Sequence, residues 1–517
     1  RVLSFTSGPD IALGQGLGQI DRVGSESLFV SVVDQSRTSM GKHPWSIGGG
    51  GAAELKVLLD RNPLGRVEDV TDVVGIFGIT AADDVILADR EALDRKRVES
   101  RVYRPMAVGE LIRDWKQRDS EWAIFPYDES GLVSIETCPG MKRWMWPCRT
   151  VLGNRATFNR KTYFDEGRPW WEWHQVSLDR IQTALSITYG EVSTHNHFVL
   201  DRGGKVFSRT SPFIKLPPTA TVDDHLGLLG LLNSSTACFW LRQVCFPKGG
   251  DQVGDEGARV RRNMWEERFA FNATNIERFP LVTPQPVELA RSLDALARAR
   301  ADLLPGALAS RATPPRPALS DAHAEADRLL AEMIFWQEEL DWRVYRLYGL
   351  LEEDLTAPPD TIPSLRLGER AFEVVMARQM AAGELETTWF ARHGSTPITE
   401  LPESWPASYR AVVERRIARL ESDRNIALVE QPECKRRWNL ESWDAQEERA
   451  LRTLLLDRLE SPTLWPKDAP RFQSCAALAD RLDGSHAHVL AGDRRLRAVH
   501  EREAHLLLAL DRHALGP

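Results

Sequence analysis

At 517 residues the chain is too long for one ordinary domain. An apolar content of 42% with 27% charged residues describes a globular protein and excludes disordered and fibrous classes. No run approaches the ~18 apolar residues of a membrane span, so no membrane partner is expected, and a formal net charge of -8 means that any polyanion-binding surface has to be local.

The chain opens with Arg1 and shows no signal design, which reads as the latter part of a longer polypeptide. Cys138, Cys148, Cys238, Cys245, Cys434 and Cys475 are scattered without a CxxC pair, the pattern of reduced thiols in a cytoplasmic protein. His195 and His197 lie too close together, and Cys238 and Cys245 too far apart, for a structural zinc site, so no metal is assigned.

Residues 1–100 mix short apolar runs (Leu28 to Val33, Val73 to Ile79, Asp84 to Leu87), expected as strands, with glycine-rich turns. Gly48 to Gly51 precede Ala52-Ala53-Glu54-Leu55 as a tight structural turn entering a helix, without Walker or GxGxxG spacing. Residues 101–285 alternate β-prone segments with turns. Phe198-Val199-Leu200 and Lys205-Val206-Phe207, separated by Asp201-Arg202-Gly203-Gly204, predict a hairpin. Leu226 to Leu232 and Ala237 to Val244 predict helices, with Asn233 to Thr236 capping the second.

Residues 286–350 predict a helix pair. Leu289, Leu293, Leu296 and Leu303 mark the first, ended by Pro305. After a Pro-rich connection, Ser320 starts a second along Leu329, Met333, Trp336, Leu340, Val344 and Leu347, stopped by Gly349. At about 28 residues it would span roughly 40 Å, a core helix or a spacer and docking strut. Residues 351–517 read as mainly helical. Sixteen Asp/Glu against seven Lys/Arg over 321–400 predict a surface that avoids DNA. Arg415, Arg416 and Arg419, then Lys435-Arg436-Arg437, read as solvated faces. The fold class expected is mixed α/β (α+β): a β-containing domain, a long helical spacer pair and a mainly helical C-terminal domain.

Met141 to Ala220 reverse the overall sign, with twelve Lys/Arg against six Asp/Glu. Trp144, Trp146, Trp170, Trp171, Trp173, Phe158, Tyr163 and Phe164 are interleaved with Arg143, Arg149, Arg155, Arg160, Lys161 and Arg168. Two readings are open: a nucleic-acid-facing patch, in which cations meet phosphates and aromatic planes meet bases, or a Trp-rich core edged by solvated arginines. His195-Asn196-His197 likewise reads either as buried structure or as a reader, with Asn196 on an adenine edge and the histidines on phosphate. No GxSxG elbow, HExxH helix or Walker loop is visible, and Pro358-Pro359 is followed by Asp360 rather than by an aromatic, so no catalytic or cofactor-binding residue is assigned.

The segments RVYRPMAVGELIRDW (Arg101 to Trp115), NRKTYFDEGRPWWEWHQ (Asn159 to Gln175) and STHNHFVLDRGGKVFSRTSPFIKLP (Ser193 to Pro217) resemble adenine-specific DNA methyltransferases of bacterial phage-exclusion (BREX) systems, the PglX family. LLGLLNSSTACFWLRQVCFPKG (Leu228 to Gly249), ELDWRVYRLYGL (Glu339 to Leu350), HPWSIGGGGAAEL (His43 to Leu55) and TTWFARHGSTPITELP (Thr387 to Pro402) extend the likeness, also to fused restriction–modification methylases, over residues 1 to about 480. In that family an N-terminal half binds S-adenosylmethionine and carries an Asn-Pro-Pro-aromatic tetrapeptide, and the following half selects the DNA sequence. This chain lacks the tetrapeptide and the Gly-rich cofactor motif, so the resemblance implies the recognition half: the end of the methyltransferase core within 1–100, a target-recognition domain over 101–285, helices over 286–350 and a helical domain beyond.

The implied partners are double-stranded DNA, the methyltransferase core and other phage-defence proteins, with S-adenosylmethionine held outside this chain. The implied DNA-binding residues are Arg155, Arg160, Lys161, Arg168, Trp170, His195, Asn196, His197, Lys205, Arg209, Lys215 and Lys248. A protein-interaction scaffold built on the helix pair and acidic region is the alternative. An independent hydrolase is disfavoured, since no carboxylate cluster with metal-ligand spacing stands out.

Overall fold

The computed structural model describes residues 50–61, 64–118, 121–178, 185–248, 267–358 and 362–461, with short stretches at 2–5, 19, 21–23, 25 and 30–34. The chain after residue 461, most of the glycine-rich run and its approach, and Cys475 lie outside the described residues. Among the described residues no helix is long and apolar enough to cross a membrane.

Two four-stranded sheets lie at the centre. One is antiparallel throughout, in the order Phe198–Asp201, Ser186–Tyr189, Phe213–Lys215, Val73–Gly75. The other runs Val206–Phe207, Tyr103–Ala107, Glu121–Ile124, Leu87–Ala88, its first pair parallel and the rest antiparallel. The expected hairpin over Phe198 to Phe207 is therefore not formed. Gly203 and Gly204 do turn the chain at positive φ, but the two apolar runs enter different sheets, because each finds a longer partner elsewhere than in the other. Asp84 to Leu87 is corrected as well: Asp83–Ile86 is a helical turn and only Leu87–Ala88 is extended.

The helical expectations hold closely. Ala52–Asp60 begins directly after Gly51, whose φ of 87° suits glycine. Val222–Leu232 and Ser235–Val244 are consecutive helices, and the Ser234 side chain caps the second by accepting from the Ala237 N–H. Val287–Ala301 stops before Pro305, which occupies the first turn of the short helix Pro305–Arg311.

The long helix Arg316–Leu347 has 32 residues and starts at a proline-flanked end ahead of Ser320, because Pro317 fits the first turn without needing a donor. Its first half is amphipathic, burying Leu319, Ala322, Ala326 and Leu329, and the helix packs along Val287–Ala301. From Gln337 to Trp342 it is buried on every side, so this half is a core element and not only a spacer.

That full burial brings charge inside. Lys435 is 1% exposed at its side chain and places Nζ 2.9 Å from Glu338, 2.8 Å from Asp341 and 3.0 Å from Glu430. Arg416 pairs with Glu339 at 2.7 Å, and Arg370 with Glu373 at 2.8 Å. Arg437 donates to the carbonyls of Asn196 and Asn233 at 2.7 and 2.8 Å. Lys435, Arg437 and Arg416 are therefore interior struts rather than solvated faces. Correspondingly, Glu338, Glu339, Asp341 and Glu373 of the acidic stretch contribute nothing to its surface field. The apolar cluster around these pairs draws residues from Ala52 to Trp438, and a second cluster fills the mixed sheet from Phe77 to Phe213.

Removing one partner of a buried ion cluster strands the others, at a cost of ~3–5 kcal/mol. Lys435→Met is expected to lower the denaturant unfolding free energy by about that much, leaving three carboxylates without their cation. A loss within about 1 kcal/mol, the size of an exposed pair, would contradict the interior role.

Candidate nucleic-acid interface

The basic, aromatic stretch divides into an inside and an outside. Trp173 is 1% exposed and donates Nε1–H to the Ile124 carbonyl, while Phe77 and Phe125 meet it edge-on. Trp171 donates to the Val133 carbonyl, and Trp170 is buried between Trp171 and Trp146. These indoles build the second core. The large exposed side chains are Trp146 (54%), Val151 (66%), Phe158 (74%) and Phe164 (39%).

Trp146 opens the helical turn Trp146–Cys148 between the short helices Pro139–Met145 and Arg149–Gly153, Val151 lies on the second of these, and Phe158 and Phe164 lie on the loop that follows. Arg149 lies 5.4 Å from the Trp146 ring centroid and 5.0 Å from that of Phe164, and Lys142 lies 5.9 Å from Trp146. Phe164 comes so near the helix end that a Cβ at Gly153 would stand 2.0 Å from its ring, so only glycine permits the contact.

Phe158, Arg160 and Lys161 occupy the tip of a tight loop. Ala156 and Thr162 form its closing bridge, and the Thr157 N–H donates to the Lys161 carbonyl at 2.7 Å. Thr157 Oγ1 and Asn159 Nδ2 both donate to Glu166 at 3.0 Å, and Thr162 and Asp165 bond each other reciprocally. These bonds hold the Asp165 and Glu166 carboxyls below their usual range, so both stay ionised while fixing the turn. Arg160 adopts φ 60°, a left-handed conformation uncommon for a side-chain-bearing residue. Its guanidinium and the Lys161 ammonium are exposed and make no hydrogen bond or ion pair among the described residues.

Arg155 stands beneath this tip and is not available to a ligand. Its guanidinium donates to the carbonyls of Leu152, Thr80, Trp170 and Glu172 at 2.7 to 3.0 Å and stacks 4.3 Å from Tyr163. Arg168 is half-buried, bonded to Glu172 at 2.5 Å and packed 4.3 Å from the same Tyr163 ring.

His195, Asn196 and His197 are buried as well. Asn196 donates to the carbonyls of Leu232 and Ser234 at 2.7 and 3.1 Å, tying the strand entry to the end of the first helix of the consecutive pair. His195 faces Cys238 at 3.3 Å, and His197 accepts from the Asp114 N–H at 3.2 Å. Burial pushes both imidazoles down, and Arg437 adds to the effect, which keeps them neutral and unsuited to phosphate. The expected reading roles of Asn196, His195 and His197, and the ligand-facing roles of Arg155 and Trp170, are corrected to structural ones on this ground.

Of the remaining expected cations, Lys215 is buried on the sheet over the Phe213 ring, Lys205 is half-buried 3.1 Å from Asp201, and Lys248 is exposed 3.8 Å from Glu191. Arg209 is exposed. The structure thus leaves Phe158, Arg160 and Lys161 exposed on one loop tip and groups Arg149 with Trp146 and Phe164; of these six, Trp146, Arg149, Phe158 and Phe164 were not among the expected site residues. A signal for Phe158 was present: a lone aromatic inside the polar, turn-prone run Thr157-Phe158-Asn159-Arg160-Lys161 has few ways to be buried.

A family profile described as a domain of unknown function, DUF7008, matches residues 333–503. A solved structure of the Type IIL restriction-modification enzyme MmeI in complex with DNA aligns at TM-score 0.35 and 16% identity, over 57% of this chain and 34% of that one. The adenine-specific methyltransferase PglX of Streptomyces coelicolor is 47% identical over 472 residues, 90% of this chain and 39% of that protein. By sequence, then, the chain is a relative of the PglX adenine-specific methyltransferase, spanning well under half of that protein's length.

Proposed function

We propose that this chain is the double-stranded-DNA recognition portion of an adenine-specific, S-adenosylmethionine-dependent DNA methyltransferase of cytoplasmic phage defence, with recognition carried within residues 101–285. The observation that supports it is the exposure of Phe158, Arg160 and Lys161 on one loop tip, in the same basic stretch as the exposed Trp146, Arg149 and Phe164. Unpaired cations at a rigid tip suit phosphate oxygens, which position a protein on the duplex. An exposed phenyl ring between them suits a sugar edge or a base step, the place where apolar wedges open a duplex. Methylation of an adenine inside a duplex needs the base out of the stack, so a wedge on the recognition portion serves the catalytic portion.

Fluorescence anisotropy of a labelled duplex across a salt series tests this reading. Log affinity is expected to fall linearly with log salt. Arg160→Ala and Lys161→Ala should each weaken binding and flatten the slope by about 0.9. Phe158→Ala should cost about 1–3 kcal/mol without changing the slope. Binding that ignores salt and all three substitutions would sink the DNA reading in favour of a protein-docking one.

Arg155→Met should separate structure from contact. It leaves buried carbonyls without donors, so it should lower stability by roughly 2 kcal/mol or more while the salt slope of the folded fraction stays unchanged. A flattened slope with undiminished stability would place Arg155 on the DNA instead.

A further inference from the structure

A second cationic place lies away from the exposed aromatic face, in a cleft of about 240 Å³ lined by Arg113, Lys116, Arg118 and Arg300 with Asp114 and Asp302. It is built on a two-residue turn. Ile112–Arg113 and Lys116–Gln117 pair antiparallel, and Asp114 and Trp115 between them both take positive φ, at 45° and 69°. Such a turn favours Asn-Gly or Asp-Gly, so Asp114 suits its place while Trp115 is strained by about 1–3 kcal/mol. The Trp115 ring is 2% exposed and bonded to Gln337 at 2.8 Å, which anchors the turn from below. The consequence is that Arg113 and Lys116 stand directly opposite each other, a like-charge pair that destabilises a hairpin.

The carboxylates nearby are already engaged. Asp114 accepts from the Trp438 N–H at 3.2 Å, Asp302 pairs with Arg311 at 3.0 Å, and Asp294 takes Arg202 at 2.6 Å and Arg298 at 3.2 Å. Among the described residues the Lys116 ammonium and the Arg118 guanidinium make no hydrogen bond or ion pair, although both are partly buried. Burial pushes Arg113, Lys116 and Arg300 below their ordinary values. Neighbouring cations add to it, Arg118 acting on Arg113 and Arg300, and Lys205 and Arg298 on Lys116, while Asp114 opposes the shift at both arginines and Asp302 and Asp294 oppose it at Lys116 without cancelling it. Charges held together at such cost call for an anion.

We propose that this cleft binds a phosphoryl group, with Lys116 and Arg118 as its contacts and Arg113 and Arg300 supplying supporting charge. At about 240 Å³ the cleft is below the ~300–1,000 Å³ of whole small-molecule sites. The body attached to the phosphate extends into the adjoining hollow of about 500 Å³, which shares Arg118, Arg300 and Leu304 and has Trp122 in its wall. The phosphate belongs either to a free nucleotide or to a DNA backbone, and neither source requires the Phe158 tip.

Calorimetric titration of the 517-residue chain with pyrophosphate, with ATP and with a short duplex tests the cleft. Lys116→Met and Arg118→Met should each weaken binding of the ligand by about tenfold or more, the loss of one charge-assisted contact. Ala307→Glu keeps every cation, places a carboxylate in the cleft and should produce the same loss, which guards against misfolding of the first two. Loss confined to pyrophosphate and ATP identifies a nucleotide, whereas loss confined to the duplex, with a flattened salt slope, identifies a backbone phosphate. Arg160→Ala should leave the pyrophosphate and ATP responses intact, so the tip and the cleft fail or succeed separately. If none of the three probes distinguishes the cleft variants from the parent chain, the proposal is overturned.

Discussion

The buried contact of Lys435 with Glu338, Asp341 and Glu430 is the constraint on which the arrangement of sheets and helices depends. An ion cluster of this kind is a poor source of net stability, because desolvation cancels much of the attraction. What it supplies is position. The ammonium is shared among three carboxylates on two segments, and small displacements of either segment uncover charge in an apolar interior. Burial raises the Glu338 carboxyl to about 7, while the neighbouring acids hold Lys435 firmly protonated. A register shift of the long helix would therefore be paid in stranded charge.

From that point the constraint passes outward through hydrogen bonds. Asp341 also accepts from the Ser235 N–H, which fixes the start of a helix, and Gln337 spans from Trp115 to the Asn233 carbonyl. Arg437, two residues along from Lys435, clamps the Asn196 and Asn233 carbonyls. Asn233 in turn exchanges bonds with Phe198 at both its donor and its acceptor. The histidine-flanked asparagine is thus the joint between sheet and helices. Its polarity, which made it look like a reader, is what a buried joint between irregular backbone ends requires.

Periodicity made the helices legible, since Leu and Met at steps of three and four leave few alternatives, and Ser234, Pro305 and Gly349 punctuate them with specific backbone chemistry. Pairing was not legible. Phe198 to Phe207 carries every local mark of a hairpin, yet sheet partners are chosen by tertiary fit, and Val206 lies parallel to Met106 instead. Charge was the least legible of all. Lys435 finds Asp341 across 94 residues and Arg416 finds Glu339 across 77, so a count along the chain cannot separate a solvated run from an interior one. The same limit applied to the basic stretch, where Arg155 went inside and Arg160 stayed outside although five residues separate them.

What divides those two arginines is the geometry of donors and acceptors. Arg155 meets carbonyls left over where a helix end, a strand end and the Trp170 loop converge, and a planar five-donor group can serve them all at once. Arg160 sits at a tip whose own polar groups are already matched by Thr157, Asn159 and Glu166, so nothing remains within the fold for it to bond. The neighbouring Phe158, left 74% exposed, forgoes burial worth on the order of 2 kcal/mol. Phe158 meets the His174 ring at 4.5 Å, but a left-handed arginine, a largely exposed ring and an unpaired lysine on one tip are local costs that the molecule offsets only in part. A return is available from a surface outside it that offers phosphate and an apolar edge together, as a duplex does.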